Sequence, residues 1–152
     1  MIIVLDTFPA SSVAKRPGRT PSLSDRCHQW VDDCENAGHT ILVPAICYYE
    51  ALRELEQRQA VSQIERLKDF CLLPTRFLPL TTTHLEMAAQ LWGQIRRNGR
   101  STSSYDALDA DVILAAQALS LGLPTADFIV ATTNVKHLSW FVPCKEWPNI
   151  KP

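Results

Sequence analysis

The first seven residues constrain the fold more than any other stretch. Positions 2–5 read Ile-Ile-Val-Leu, and Asp6 and Thr7 follow directly. Four apolar residues without alternation predict a strand covered on both faces, as in a parallel sheet with helices on each side. Such a strand holds a carboxylate best at its carboxyl end, where open α/β sheets bind their ligands. Asp6 is therefore the first candidate for chemistry, and the alternative is that it only caps a turn or a helix.

The rest of the chain alternates between predicted strands and predicted helices. Strands are predicted over residues 40–43, 77–80 and 128–131, and helices over residues 27–37, 45–58, 62–71, 83–98 and 106–119. Prolines and Gly18 predict a loop over residues 8–22, in which a short helix over 10–14 is allowed. Thr83 and Glu86 form a predicted capping box, and Val142 is expected to begin a last short strand before an irregular tail.

This order of elements predicts the fold class. Strands alternating with helices favour an α/β fold, a three-layer α/β/α sandwich with a central, mainly parallel sheet. Residues 1–152 show no linker and no internal repeat, so a single domain is expected.

Composition narrows the possible functions. The chain has 46% hydrophobic residues and a net charge of −1, so any contact with nucleic acid must use a local patch. We find no signal peptide and no stretch long enough to cross a bilayer, which makes the cytoplasm the expected location, without membrane contact. Five cysteines without a C-x-x-C spacing are expected to be mostly buried, free thiols.

Acidic and amide side chains follow the predicted strands. Glu50 comes just beyond strand 40–43, Asp111 lies in the first turns of the buried helix before the last main strand, and Asn134 follows that strand. Since the carboxyl ends of parallel strands meet at one edge of the sheet, these side chains and Asp6 should converge there. Converging carboxylates need a cation, and hard oxygen donors select Mg²⁺ or Mn²⁺. The predicted reaction is phosphodiester hydrolysis.

Four motifs, in order, resemble those of PIN-domain ribonucleases. They are Leu5-Asp6-Thr7, Pro44-Ala45 with Glu50, Asp111 with the Ile-Leu-Ala-Ala run after it, and Thr133-Asn134 with His137. The match runs over nearly the whole chain, and the nearest subgroup looks like the VapC-type toxins of bacterial toxin–antitoxin pairs.

The resemblance implies the roles of residues and partners. It implies that Asp6, Glu50 and Asp111 are metal ligands, with Asn134 in the fourth acidic position and Thr7, Asp109 and Thr133 as possible helpers. It also implies Mg²⁺ or Mn²⁺ as cofactor, single-stranded or loop RNA as substrate, an antitoxin protein as inhibitor, and a homodimer.

Two departures from the family pattern leave an alternative open. Phe8 stands where the family often has Asn, and the amide of Asn134 carries no charge. A degenerate PIN domain that binds RNA or a protein partner without cleaving is therefore the alternative function. A phosphatase of the haloacid dehalogenase type would need a second Asp at position 8, and a receiver-like domain would need an acid pair that is absent here.

Two groups of cations are candidates for RNA contact. Lys15, Arg16 and Arg19 lie in the loop after Asp6, and Arg96, Arg97 and Arg100 lie near the end of the helix over residues 83–98. The first group can equally be an ordinary solvated loop, and the second can simply complement the helix dipole. Asp106 is a candidate helix cap, and Asp109 should lie on a different helix face from Asp111.

Overall fold

A central parallel sheet organises the molecule. The computed structural model describes residues 1–99 and 105–152, with side chains for residues 1–99 and 108–152. Five strands lie in the order β3-β2-β1-β4-β5, and each neighbouring pair is parallel. They are β1 (Ile2–Leu5), β2 (Thr40–Pro44), β3 (Phe77–Leu78), β4 (Phe128–Thr132) and β5 (Cys144–Glu146). The prediction of a mainly parallel sheet is confirmed, with β1 at its centre.

Helices connect the strands. In the described residues they are α1 (Thr7–Ser12), α2 (Leu23–Asn36), α3 (Ala45–Gln57), α4 (Val61–Cys71), α5 (Thr82–Arg97), α6 (Tyr105–Leu119) and α7 (Val135–Leu138), followed by a 3-10 turn over Trp147–Asn149. None of the helices in this described part of the chain is long and apolar enough to cross a membrane.

The two faces of the sheet carry separate apolar cores. Ile3 and Leu5 pack on one face against residues of α1, α2, α3 and α4, whereas Val4 packs on the other against residues of α6. All three side chains are fully buried, as the unbroken apolar run of β1 predicted. The chain is therefore a three-layer α/β/α sandwich with the PIN-like arrangement, which confirms the predicted fold class.

Helices α5 and α6 form an antiparallel pair on the second face. His84, in the first turn of α5, lies with its Nε2 2.8 Å from Oγ of Ser120, which directly follows α6. The opposite end of α5, which carries Arg96 and Arg97, therefore lies beside the beginning of α6. Buried Gln117 fixes α6 against the sheet, because its Nε2 donates to the carbonyl of Leu78 at 2.7 Å.

Several predicted boundaries were wrong, each for a local reason. Residues 7–12 form α1 rather than a loop, because Pro9 falls in the first helical turn, where no N–H is needed. The capping box of α5 uses Thr81 and His84 instead of Thr83 and Glu86, since any of three successive threonines can cap and His84 is fixed by Ser120.

The carboxyl-terminal part is more ordered than expected. Strand β4 continues to Thr132, and the last strand begins at Cys144, two residues after Val142. The tail is not irregular throughout, because Trp147 and Ile150 are buried in the first core and the indole of Trp30 donates to the carbonyl of Ile150 at 2.8 Å.

Candidate active site at the carboxyl ends of the strands

Asp6 lies at the carboxyl end of the central strand and is held by several donors. Its Oδ1 accepts a hydrogen bond from the backbone N–H of Thr7 at 2.7 Å, which makes Asp6 the N-cap of α1. Its Oδ2 accepts from the hydroxyl of Thr132 at 2.6 Å, and the thiol of Cys47 lies 3.9 Å from Oδ1. Asp6 therefore caps a helix and also faces the rim of the sheet.

Thr132 reaches Asp6 because of the register between β1 and β4. Leu5 is the partner of Ala131, so the next residues along the two parallel strands are Asp6 and Thr132. The Thr132 side chain is fully buried, and its oxygen also accepts from the backbone N–H of Asn134 at 2.8 Å. This hydroxyl links the strand end to the turn that follows it.

Glu50 joins the site through Thr7. The hydroxyl of Thr7 donates to Oε2 of Glu50 at 2.6 Å, across the gap between the start of α1 and the second turn of α3. On its other side, Oε1 of Glu50 lies 3.4 Å from the guanidinium of Arg53. Glu50 is thus oriented by one neutral donor and one cation.

Asp111 faces the same region from α6. Its Oδ2 is buried and accepts no hydrogen bond from the described residues. Nδ1 of His137, on α7, lies 3.7 Å away, which is within ion-pair distance but too far for a hydrogen bond. The imidazole of His137 is in turn packed on Trp140, with ring centroids 5.4 Å apart.

The charges of these three acids act on one another. Burial raises the pKa of Asp6, against the opposing effect of the hydrogen bonds from Thr132 and Thr7. Burial, followed by the negative charges of Asp6 and Glu50, raises the pKa of Asp111 to about 7. The site concentrates negative charge in a poorly hydrated place, which is the condition that favours a bound cation.

The remaining residues predicted for the site are placed differently. Thr133 and Asn134 lie at the rim with exposed side chains. Asp109 is exposed in a surface groove between α5 and α6 with Leu85 and Trp92, on another face from Asp111, as expected. The side chain of Asp106 lies outside the described residues.

The two groups of cations lie near this end of the molecule. Lys15, Arg16 and Arg19 are exposed in the segment before α2, and Nζ of Lys15 donates to Oγ of Ser24 at 3.0 Å. Leu23, the first residue of α2, lines a surface cavity together with Thr132 and Thr133. Arg97 is exposed, the guanidinium of Arg96 lies 4.9 Å from the centre of the Trp92 ring, and Arg100 lies outside the described residues.

Two residues of the site, Thr132 and Cys47, were missed from the sequence, and both contact Asp6. His137 was noted only as part of the fourth motif, and its position facing Asp111 was not predicted. Thr132 could have been found by aligning β1 with β4, because the fourth residue after Phe128 must lie beside the fourth residue after Ile2. Cys47 and His137 depend on how helices pack over the sheet, for which the sequence carries no comparable signal.

The donors suit a hard cation, but they do not form a complete cage. Among the described side chains, no three His, Cys, Asp or Glu residues are grouped so that they could hold a metal ion together. The oxygens of Asp6 and Oε2 of Glu50 already accept from Thr7 and Thr132, whereas Oδ2 of Asp111 is a buried acceptor without a donor. Carboxylate oxygens are the ligands that Mg²⁺ and Mn²⁺ prefer.

Comparison with known proteins adds two solved structures. No protein family profile matches the chain, and no curated protein is similar to it in sequence. A chain in the crystal structure of VapBC2 from Rickettsia felis, bound to a DNA fragment from its promoter, superposes with a TM-score of 0.68 at 14% identity, covering 97% of this chain and 99% of that one.

The second structure is VapBC-1 from nontypeable Haemophilus influenzae. Its chain superposes with a TM-score of 0.58 at 17% identity and covers 98% of this chain and 100% of that one. At these identities the comparisons establish the fold, which this chain shares with VapBC structures over nearly its whole length.

Proposed function

We propose that this chain is a VapC-like PIN-domain toxin, an endoribonuclease that uses Mg²⁺ or Mn²⁺ to hydrolyse single-stranded or loop RNA. The observation that carries the proposal is the position of Asp6. It is half-buried at the end of the central strand, where the N–H of Thr7 and the hydroxyl of Thr132 hold its carboxylate, and its negative charge contributes to the raised pKa of Asp111 on α6. A fold shared with VapBC structures supports the same assignment.

Asp6 and Asp111 are the residues that would hold the cation. Mg²⁺ commonly uses one or two carboxylates together with water and substrate phosphates, so an incomplete cage among the protein side chains is compatible with binding during turnover. When bound, the cation would hold a phosphate oxygen and lower the pKa of the attacking water. The hydroxyl of Thr132 and the N–H of Thr7 fix the orientation of the Asp6 carboxylate.

The other residues support binding and proton transfer. The Glu50 carboxylate, which is only partly buried, would act as the base that accepts a proton from the attacking water. The hydroxyl of Thr7 holds this carboxylate in position. The exposed cations Lys15, Arg16, Arg19 and Arg97 supply the local positive charge that a chain with a net charge of −1 needs in order to bind RNA.

A protein partner is part of the proposal. The two structural neighbours are VapBC assemblies, which supports a cognate antitoxin that binds this chain and blocks the site. We also propose a homodimer.

The alternative function, RNA or partner binding without cleavage, is favoured by one observation: the fourth acidic position carries the uncharged, exposed Asn134.

A single cleavage assay separates the two functions. Purified chain is incubated with a mixed RNA pool in Mn²⁺ and in EDTA, beside Asp6→Asn and the matched control Asp109→Asn. We expect cleavage that requires Mn²⁺, is abolished in Asp6→Asn and persists in Asp109→Asn, whose carboxylate lies in the exposed groove. Wild-type activity in Asp6→Asn would contradict the assignment, and absence of cleavage with retained RNA binding would favour the alternative.

A further inference from the structure

A short line of contacts leads from the candidate active site to the surface of α3. Thr7 contacts Glu50 at 2.6 Å, and Glu50 contacts Arg53 at 3.4 Å. The guanidinium carbon of Arg53 then lies 5.5 Å from the ring centre of Tyr49. Tyr49 is 55% exposed, and Arg53 is exposed as well. In this chain of contacts, one residue separates the solvated cation of Arg53 from Thr7, and two residues separate the solvated ring of Tyr49 from Thr7.

This pair has little structural value where it stands. An ion pair at the surface, such as that of Arg53 with Glu50, contributes little to stability, and an exposed ring leaves much of its apolar surface in water. The same two groups match the two parts of a nucleotide. An aromatic face stacks on any base, and a guanidinium binds a phosphate through two parallel hydrogen bonds.

We propose that Tyr49 and Arg53 form a nucleotide-binding subsite for single-stranded RNA beside the candidate active site, which deepens the proposed function and rests on it. A base of the substrate stacks on the ring of Tyr49, and the adjoining phosphate is bound by Arg53. Duplex RNA does not satisfy this subsite, because its bases stack on one another and present no free face.

Charge supports the placement of a phosphate at Arg53. The carboxylates of Asp6, Glu50 and Asp111 carry the same sign of charge as a phosphodiester and repel it. Arg53 is the cation in contact with Glu50, so it offsets this repulsion where the RNA backbone passes from the acids to the surface of α3. The exposed guanidinium can keep Glu50 on one edge and meet a phosphate with its other donors.

The test measures RNA binding in the Asp6→Asn background, which prevents cleavage, by fluorescence anisotropy. The probes are a ten-nucleotide uridine oligomer and an abasic ribose-phosphate oligomer of the same length. The variants are Tyr49→Ala, Tyr49→Phe and Arg53→Gln. Arg58→Gln is the matched control, because it removes one exposed charge from the other end of α3.

Each variant has a distinct expected result. Tyr49→Ala should weaken binding of the uridine oligomer about fivefold or more and leave binding of the abasic oligomer unchanged. Tyr49→Phe, which keeps the aromatic ring, should bind both oligomers as tightly as the protein with Tyr49. Arg53→Gln should weaken both probes and reduce the slope of log K against log salt by about 0.7, the value for one phosphate contact on a single strand. Arg58→Gln should change neither affinity nor slope.

Three results would overturn the inference. The first is an unchanged affinity of Tyr49→Ala for the uridine oligomer, and the second is an equal loss of affinity of Tyr49→Ala for both probes. The third is a change of oligomeric mass in Tyr49→Ala with RNA affinity unaffected, which would make this face a protein contact. If the wild-type chain does not cleave RNA and the Asp6→Asn protein does not bind it, both the proposed function and the subsite are contradicted. If the wild-type chain cleaves RNA and Tyr49→Ala does not change the RNA affinity of the Asp6→Asn protein, the subsite alone is contradicted.

Discussion

The substitution Asp111→Asn should change how the stability of the metal-free protein depends on pH. Burial and the charges of Asp6 and Glu50 raise the pKa of Asp111 from 3.8 to about 7. The folded state then binds a proton more tightly than the unfolded state. Below about pH 4 Asp111 is protonated in both states, and its contribution to the free energy of unfolding is fully present. This contribution is lost as the pH rises through 7, because ionising Asp111 costs more free energy in the folded protein than in the unfolded one.

The size of the effect follows from the shift. About three pH units correspond to about 4 kcal/mol, at about 1.36 kcal/mol per unit. The Asp111 side chain is 14% exposed, and part of its shift comes from a neighbouring charge, that of Asp6, so we expect about half of this, about 2 kcal/mol. Asp111→Asn should therefore exceed wild type by only about 0.5 kcal/mol at pH 4.5 and by about 2 kcal/mol at pH 8.

The assay is urea unfolding in EDTA at both pH values, on wild type, Asp111→Asn and Asp109→Asn. Asp109 is the control because it is an exposed carboxylate on the same helix. His137, which lies 3.7 Å from Asp111, is present in all three proteins, so a comparison among them isolates the effect of the substituted carboxylate. Equal pH dependence in wild type and Asp111→Asn would refute the view that Asp111 belongs to a cluster of interacting acids.

Three further substitutions or additions probe the same site. Mn²⁺ should raise the melting temperature and EDTA should lower it, because a hundredfold excess of Mn²⁺ over its dissociation constant adds about 2.7 kcal/mol to the free energy of unfolding. An unchanged melting curve would argue against binding without RNA. Thr132→Val should cost about 1.5–3 kcal/mol because it removes a buried donor to Asp6, whereas Thr132→Ser should cost less, and equal losses in urea unfolding would show that packing dominates. Asn134→Asp should tighten Mn²⁺ binding and destabilise the protein in EDTA; identical responses to wild type in both buffers would remove Asn134 from the site.

Much of the fold could be predicted because a parallel sheet buries its strands completely. The unbroken apolar runs in β1 and β4 are typical of strands that are covered on both faces, and each run ends beside a polar residue. Since parallel strands end at the same edge, the convergence of Asp6, Glu50 and Asp111 followed from element order alone. Thr7, the neighbour of Asp6, contacts Glu50, but among the described side chains no three acids are grouped so that they could hold a metal ion together.

The details that escaped prediction depend on register and on helix packing. Ending β4 one residue early hid Thr132, and with it the hydroxyl that donates to Asp6. Treating residues 8–22 as a loop hid the fact that Asp6 caps α1. The contact of His137 with Asp111 joins two helices separated by a strand, so it depends on three-dimensional packing that spacing along the chain does not encode.

The unequal environments of Asp6 and Asp111 give the two acids different tasks. Hydrogen bonds from Thr7 and Thr132 favour the charged form of Asp6 and fix its carboxylate, although burial raises its pKa. Oδ2 of Asp111 accepts no hydrogen bond from the described residues, and a pKa of about 7 keeps part of the population protonated at neutral pH. A cation and this proton compete for the Asp111 carboxylate, which would be the second carboxylate ligand of the cation. The affinity for Mn²⁺ should therefore rise between about pH 6 and 8, the range in which Asp111 ionises.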